Sequence, residues 1–377
     1  MADINGLLTH HDGHTTNGMI NMAERIVRNR QASLFLLVCS LWLPHGDSWL
    51  QTTHRHDQLR QTALRDAQLF MTDTLNAASN ENFHTLPRLF VGLRLGENVE
   101  LTLTLEQAHY VTKVMRLGRN KSRDCVRVFD GVNGEWLAQI QTKQDEETTQ
   151  LKKSRREHHV ITTARCLQQL RPQDKEKLPW LFFAPIKKAR VKIMLEKCTE
   201  LGVGRFVPIL TERTDPSSIR DCIENLDKLA AQTTEAAEQC ERLTVPPLTK
   251  TCLGNNEEED PWDFKSLLNK WSDAFCDRHL LICRERTVDD GSSVPVLAML
   301  QSLAGKSTAP SVAFVVGPEG GWSPTEEALC DQYAAYSDSI HCVSLGSLVL
   351  RAETSSIAAI SACMLCQELY SDNVTKQ

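Results

Sequence analysis

The chain has 377 residues, 41% hydrophobic and 24% charged, with 18 Gly and 14 Pro, which excludes collagen-like, coiled-coil and wholly disordered chains. A net charge of −6 (42 Lys and Arg against 48 Asp and Glu) excludes a general polycation, so any nucleic-acid surface has to be local. Thirteen cysteines scattered through so long a chain read as reduced thiols, not as a disulfide framework.

Residues 1–85 differ in texture from the rest. His10, His11 and His14 lie in a polar stretch with nothing to bury, which reads as a disordered terminus and not as a metal site. Arg25, Arg28 and Arg30 precede an apolar run over 34–43. That run is too short to cross a bilayer, which takes about 20 residues, but it fits the middle of a signal sequence. Arg55, Arg60 and Arg65 alternate with Leu59, Leu64 and Leu69 as in an organelle transit segment, and Asp57 and Asp66 weaken the match. Two readings stay open: a plastid or mitochondrial targeting peptide, or a plain tail on a cytoplasmic protein.

A small β-rich module is expected over 86–158. Residues 87–91 open a strand, and Leu101, Leu103 and Leu105 alternate with Thr at the strand period. Residues 106–117 read as a helix with Ala108, Val111, Val114 and Met115 on one apolar face. The turn at 130–134 contains Asn133-Gly134 between two alternating runs, a hairpin signal. This segment carries 13 Lys and Arg against 10 Asp and Glu, so it is +3 and the remainder −9. Arg116, Arg119, Lys121, Arg123 and Arg127 crowd the helix end and the strand after it, as either an RNA-binding patch or a solvated loop.

From 159 to 377 strands alternate with helices, the pattern of an α/β sheet. The strand over 180–184 leads to a helix over 187–201, with Val191, Met194, Leu195, Cys198 and Leu201 on one stripe. A strand over 205–210 and an Ala-rich helix over 223–243 follow, then an acidic insert at 255–260 that reads as a solvated loop. Cys363 and Cys366 form a C-x-x-C in an apolar run; without a second pair they read as thiols on a packed helix, not zinc ligands.

Two loops carry the chemistry. The first follows the apolar run 312–316: Gly317-Pro318-Glu319-Gly320-Gly321, then Ser323, Pro324 and Glu326, which predict a capping box. Its glycines let a ligand approach the backbone closely, and it matches neither a P-loop nor a dinucleotide fingerprint. Glu319 there would repel phosphate and tolerate a cationic ligand. The second, over 344–354, places Arg351 and Glu353 at a strand-to-helix switch, as binding-site residues or as a local salt bridge and cap.

Five ordered segments then resemble one family, the ribosomal RNA small subunit methyltransferase E family, across about 86–377. They are the helix at 109–118, LEKCTELGV at 195–203, AAEQCER at 236–242, GPEGGWSPTEE from Gly317, and LGSLVLRAETSSIAAI from Leu345. The resemblance implies an α/β fold: a SPOUT trefoil-knot methyltransferase domain over 159–377 behind a PUA-like RNA-binding β-barrel over 86–158. It implies N3-methylation of a uridine in 16S-type ribosomal RNA by S-adenosyl-L-methionine, and a homodimer acting on the small subunit.

By motif position the cofactor would be held by Val316, Gly317, Pro318, Glu319, Gly320 and Gly321, with Leu345, Gly346, Leu350 and Arg351. Lys187, Lys188 and Arg190 are expected to contact RNA beside the five cations of the first module, and no metal is expected. Arg351 is expected to stabilise the developing anion, with Glu353 or Glu319 as base or orienting group. One departure is Ser347-Leu348, where the family usually has Pro-Arg. Two rival readings are a non-catalytic RNA-binding assembly factor and methylation of a different RNA by the same fold.

Overall fold

The computed structural model describes residues 83–118, 124–144, 160–173, 177–251, 260–275, 277–284, 293–304 and 310–374. The targeting features, Arg119, Lys121 and Arg123, and all of the acidic insert except Asp260 lie outside them.

Short alternating runs build the first sheet. Strands β1 (Arg88–Phe90), β2 (Glu100–Thr102), β3 (Cys125–Phe129), β4 (Glu135–Gln144) and β5 (Val160–Arg171) lie in the order β1-β3-β4-β5-β2. β1 runs parallel to β3, and every other pairing is antiparallel. The expected hairpin joins β3 to β4, with Gly131 and Gly134 at φ +81° and +78°. A side chain at Gly134 would collide with the Arg171 carbonyl oxygen, so only glycine fits. β5 belongs to this sheet, so strand–helix alternation starts after Arg171, not at the expected boundary of 158. Composition could not show this, because a long antiparallel strand and the start of an α/β unit share the same apolar alternation.

The expected helix over 106–117 is α1 (Leu105–His109), capped by Thr104 and Gln107, continued by one π-helical turn at Tyr110–Val114. Val111 is buried, as expected, but Val114 and Met115 are exposed at 59% and 38%. A π turn takes more residues than an α turn, so positions past Tyr110 rotate off the apolar face.

The second sheet is wholly parallel: β6 (Trp180–Phe183), β7 (Arg205–Pro208), β8 (His279–Arg284), β9 (Val294–Pro295), β10 (Val312–Val316) and β11 (Ile340–Ser344), in the order β7-β6-β10-β8-β11-β9. Its core strands are apolar throughout because helices cover both faces. Phe314 packs against α2 (Lys188–Glu200), α6 (Val296–Leu303) and α8 (Ala352–Val374), while Ala313 and Val315 point to α5 (Phe264–Ala274) and α7 (Pro324–Tyr336). An unforeseen helix, α3 (Pro216–Glu224), precedes the helix expected over 223–243, which is α4 (Leu226–Gln239); the two are divided at Asn225, where φ is −117°. Cys363 and Cys366 are buried on α8.

Both sheets belong to one compact unit, Leu86–Gln377, and a buried ion cluster ties them together. The Glu135 side chain is fully buried and accepts from Arg88 Nε at 2.5 Å and Arg171 Nε at 2.8 Å, with Arg127 Nη1 at 3.7 Å. The same arginines reach the end of α4: Arg88 donates to the carbonyls of Ala237 (2.6 Å) and Arg242 (2.5 Å), and Arg171 to that of Glu241 (2.7 Å). Arg127 pairs with Glu241 at 2.7 Å, and Glu238 accepts the Phe90 N–H. The AAEQCER segment therefore fastens the two sheets. Cations at a helix carboxyl end are also favoured by the helix dipole.

Glu135→Gln removes the charge that compensates these buried guanidiniums, and breaking such a cluster costs about 3–5 kcal/mol. Urea unfolding of the full chain should show that loss; a change below about 1 kcal/mol would show that the cluster does not hold the sheets.

Candidate functional site

β10 and β11 both flank β8, so the loops that leave their carboxyl ends face each other across the end of β8. In open parallel sheets that edge is where ligands bind. A cleft opens there, walled by Val316, Gly317 and Gly321 on one side and by Leu345, Gly346, Leu348, Leu350 and Ala352 on the other. Cys283, Arg284, Trp322 and Ser355 complete it.

Local chemistry shapes each wall. Gly317 lies against the Trp322 ring, where a Cβ would come within 3.0 Å, and the indole N–H donates to the Cys283 carbonyl at 3.0 Å. The first loop turns at Gly321 (φ +67°), whose N–H reaches the Pro318 carbonyl at 3.0 Å. Ser323, Pro324 and Glu326 form the expected capping box at the start of α7. Buried Glu326 also accepts the Glu212 N–H at 2.9 Å, tying α7 to the loop after β7. Gly346 sits at φ +128°, open to a glycine alone, with its N–H on the Ser344 hydroxyl at 3.2 Å.

The expected site residues separate into groups. Val316, Gly317, Gly321, Leu345, Gly346 and Leu350 line the cleft together. Pro318, Glu319, Gly320 and Arg351 belong to the same loops but are not among its walls. Arg351 is exposed just before α8. Glu319 does not offer a free charge to a cationic ligand: Arg190 Nη1 binds it at 2.6 Å. Arg190 Nε also lies 3.7 Å from Glu353, so the two carboxylates meet at Arg190 and not in the cleft. Neither is placed as an unpaired base.

The RNA-contact expectations divide too. Lys187 and Lys188 are exposed at the start of α2, and Lys187, after the Ser217 N–H, helps hold the Asp215 carboxyl below its ordinary value. Arg116 is exposed in the left-handed region, at φ +57°. Arg127 is 3% exposed and committed to Glu241 and Glu135, so it is a structural residue: its place on β3 points it into the ion cluster.

Sequence reasoning missed Cys283, Arg284, Trp322 and Ser355. The signal for Arg284 is a charge ending the apolar run 280–283; it pairs with Glu327 and, at 2.6 Å, with Asp331, anchoring α7 beside the cleft. Trp322 stands inside the GPEGGW string, where the motif by itself gives the ring no role. Leu348, 75% exposed, gives the cleft rim an apolar side chain.

The model of the RNA methyltransferase domain family matches residues 175–364. The chain belongs to that family. A Rickettsia conorii protein named ribosomal RNA small subunit methyltransferase E is 29% identical over 287 residues, covering 75% of this chain and 98% of the relative. A Synechocystis protein of the same name is 29% identical over 285 residues, covering 75% and 78%. Among solved structures, a small subunit methyltransferase E from Neisseria gonorrhoeae, bound to S-adenosyl methionine, superposes with a TM-score of 0.54 at 22% identity, covering 74% of this chain and 97% of the other. A methyltransferase from Legionella pneumophila with its bound cofactor gives 0.52 at 22%, covering 74% and 97%. These superpositions establish the α/β methyltransferase fold for this RNA methyltransferase.

Thiol chemistry at the cleft is suppressed. Burial pushes Cys283 up to about 12, and burial does the same for Cys222. At pH 8 both therefore stay protonated and unreactive. Iodoacetamide treatment followed by peptide mapping should leave Cys283 and Cys222 intact in the native protein and, among the described cysteines, modify half-exposed Cys240 first. Rapid labelling of native Cys283 would contradict this.

Proposed function

We propose that this chain N3-methylates a specific uridine of small-subunit, 16S-type ribosomal RNA, using S-adenosylmethionine. The observation that carries the reading is the convergence of two glycine-bearing loops on one cleft at the carboxyl edge of a parallel sheet, inside the span matched by the RNA methyltransferase family. The same reading takes the parallel sheet as a SPOUT domain whose loops form a trefoil knot, the first sheet as a PUA-like RNA-binding module, and the working form as a homodimer on the small subunit.

The cleft fits the cofactor in kind. Its walls at Gly317, Gly321 and Gly346 are bare backbone, which can approach an adenosine or methionine moiety closely. When bound, S-adenosylmethionine supplies an electrophilic methyl group on a sulfonium. The cleft would place uracil N3, its proton released to solvent, against that methyl, with S-adenosylhomocysteine as the leaving group, and alignment of this kind supplies up to roughly 7–11 kcal/mol. A nitrogen nucleophile needs no covalent adduct, in keeping with the suppressed thiols.

Arg351, exposed at the cleft's edge, stabilises the negative charge that develops on the base. Lys187, Lys188 and Arg116 meet RNA phosphates, and the target uridine is splayed from its stack.

The deciding experiment incubates the full chain with labelled S-adenosylmethionine and small subunits lacking the modification, then digests the RNA. Label in N3-methyluridine is expected; label elsewhere, or none, would overturn the assignment. Arg351→Ala should lower turnover at least about 100-fold, the scale of losing one preorganised charge-stabilising donor, with an unchanged circular dichroism spectrum.

A further inference from the structure

The amino end of α2 carries the wrong charge. Lys187, Lys188 and Arg190 crowd a helix N-terminus, where the dipole disfavours cations. Arg190 is the one of the three that two carboxylates hold: Nη1 donates to Glu319 Oε1 at 2.6 Å, and Nε lies 3.7 Å from Glu353 Oε1. Glu319 belongs to the loop after β10, and Glu353 to the first turn of α8 after the second loop. One guanidinium thus touches a carboxylate of the first loop and a carboxylate just past the second.

We propose that Arg190 is a positioning residue that clamps the two loops at the separation that forms the cleft, and that it is not an RNA contact. Its planar fork presents two donors at once, which a lysine ammonium on its flexible stem does not reproduce. The two carboxylates share that single cation. The Glu353 side chain is 13% exposed; among the described residues Arg190 is the cation paired with it, at Oε1, while Oε2 is buried without a hydrogen-bond partner. Without the guanidinium, Glu319 and Glu353 lose the cation between them, and the repulsion of the two like charges loosens both loops. The first loop is otherwise tied by two backbone-directed contacts, Gly321 N–H to the Pro318 carbonyl and Arg213 to the Gly320 carbonyl, both at 3.0 Å.

The consequence for cofactor affinity rests on the function proposed above; the clamp itself does not. The test therefore reads both. Amide hydrogen exchange is followed on the full chain without ligand for the native sequence, Arg190→Ala, Arg190→Lys and the double variant Arg190→Ala/Glu319→Gln. S-adenosylmethionine binding is measured by calorimetry, and binding to a small-subunit RNA fragment by filter retention. Arg190→Ala should raise exchange in both 317–321 and 345–351 and weaken cofactor binding, each roughly tenfold, the scale of one charge-assisted hydrogen bond, with RNA affinity within about twofold. The double variant should recover part of the loss, because it removes the repulsion.

Native exchange rates in both loops of Arg190→Ala, with RNA affinity reduced, would overturn the clamp in favour of an RNA contact. Should Arg190→Ala fail to fold, Arg190→Lys decides: exchange raised in at least one loop supports the clamp, and native rates in both refute it. Loosened loops in a chain whose native form binds no S-adenosylmethionine would leave the clamp standing and remove the cofactor reading.

Discussion

The buried carboxylate of Glu135 is the constraint on which the molecule's geometry rests. A charged group without solvent persists only if it is paired and hydrogen-bonded; of three arginines converging from three strands, Arg88 and Arg171 hydrogen-bond it and Arg127 adds a third cation at 3.7 Å. Each arginine also spends its remaining donors, or its second carboxylate contact, on the end of α4. Burial lowers the Arg88 pKa, yet Glu135 and the stacked Phe129 ring, 3.7 Å from the guanidinium, keep it bound in place. The first sheet cannot tilt against the second without unpairing this cluster. Arg242 extends the tie inward, donating to the carbonyls of Thr199 and Val203 at 2.8 Å each, where α2 ends.

That chain of contacts links distant parts of the site through rigid elements. α2 carries the Arg242 attachment at its carboxyl end and Arg190, against the two cleft loops, at its amino end. The first sheet and the two cleft loops are thus held in one frame. The same logic explains why the cleft tolerates loops with so little secondary structure. Their conformations are imposed by side chains from neighbouring elements: Trp322 beneath Gly317, Arg213 on Gly320, Arg190 on Glu319, and Glu326 reaching the loop after β7.

Charge is distributed in keeping with this. Arginines carry the buried pairs, where a planar fork holds two partners, while Lys187 and Lys188 stay in solvent, where a hydrated point charge suits a phosphate. Leu348 puts an apolar side chain at the cleft rim, and the guanidinium that the second loop itself contributes is the exposed Arg351.

The sequence by itself determined the local events. The capping box at Ser323 and Glu326, the glycine hairpin at 130–134, the buried run Val312–Val316 and the stripe on α2 depend on neighbours a few residues away, and all formed as expected. The five ordered segments also carried the family, because each sits at a turn or helix end whose shape tolerates few residue types. What only the tertiary structure decided was the partner of each charge. Arg127 and Arg190 look alike in sequence, each in a run of cations, yet one lies in a buried cluster and the other between two loops. The assignment of β5 to the first sheet and the roles of Arg284 and AAEQCER were likewise settled by partners distant in the chain. An ion pair's energy depends on distance and burial in space, and neither is written in local sequence.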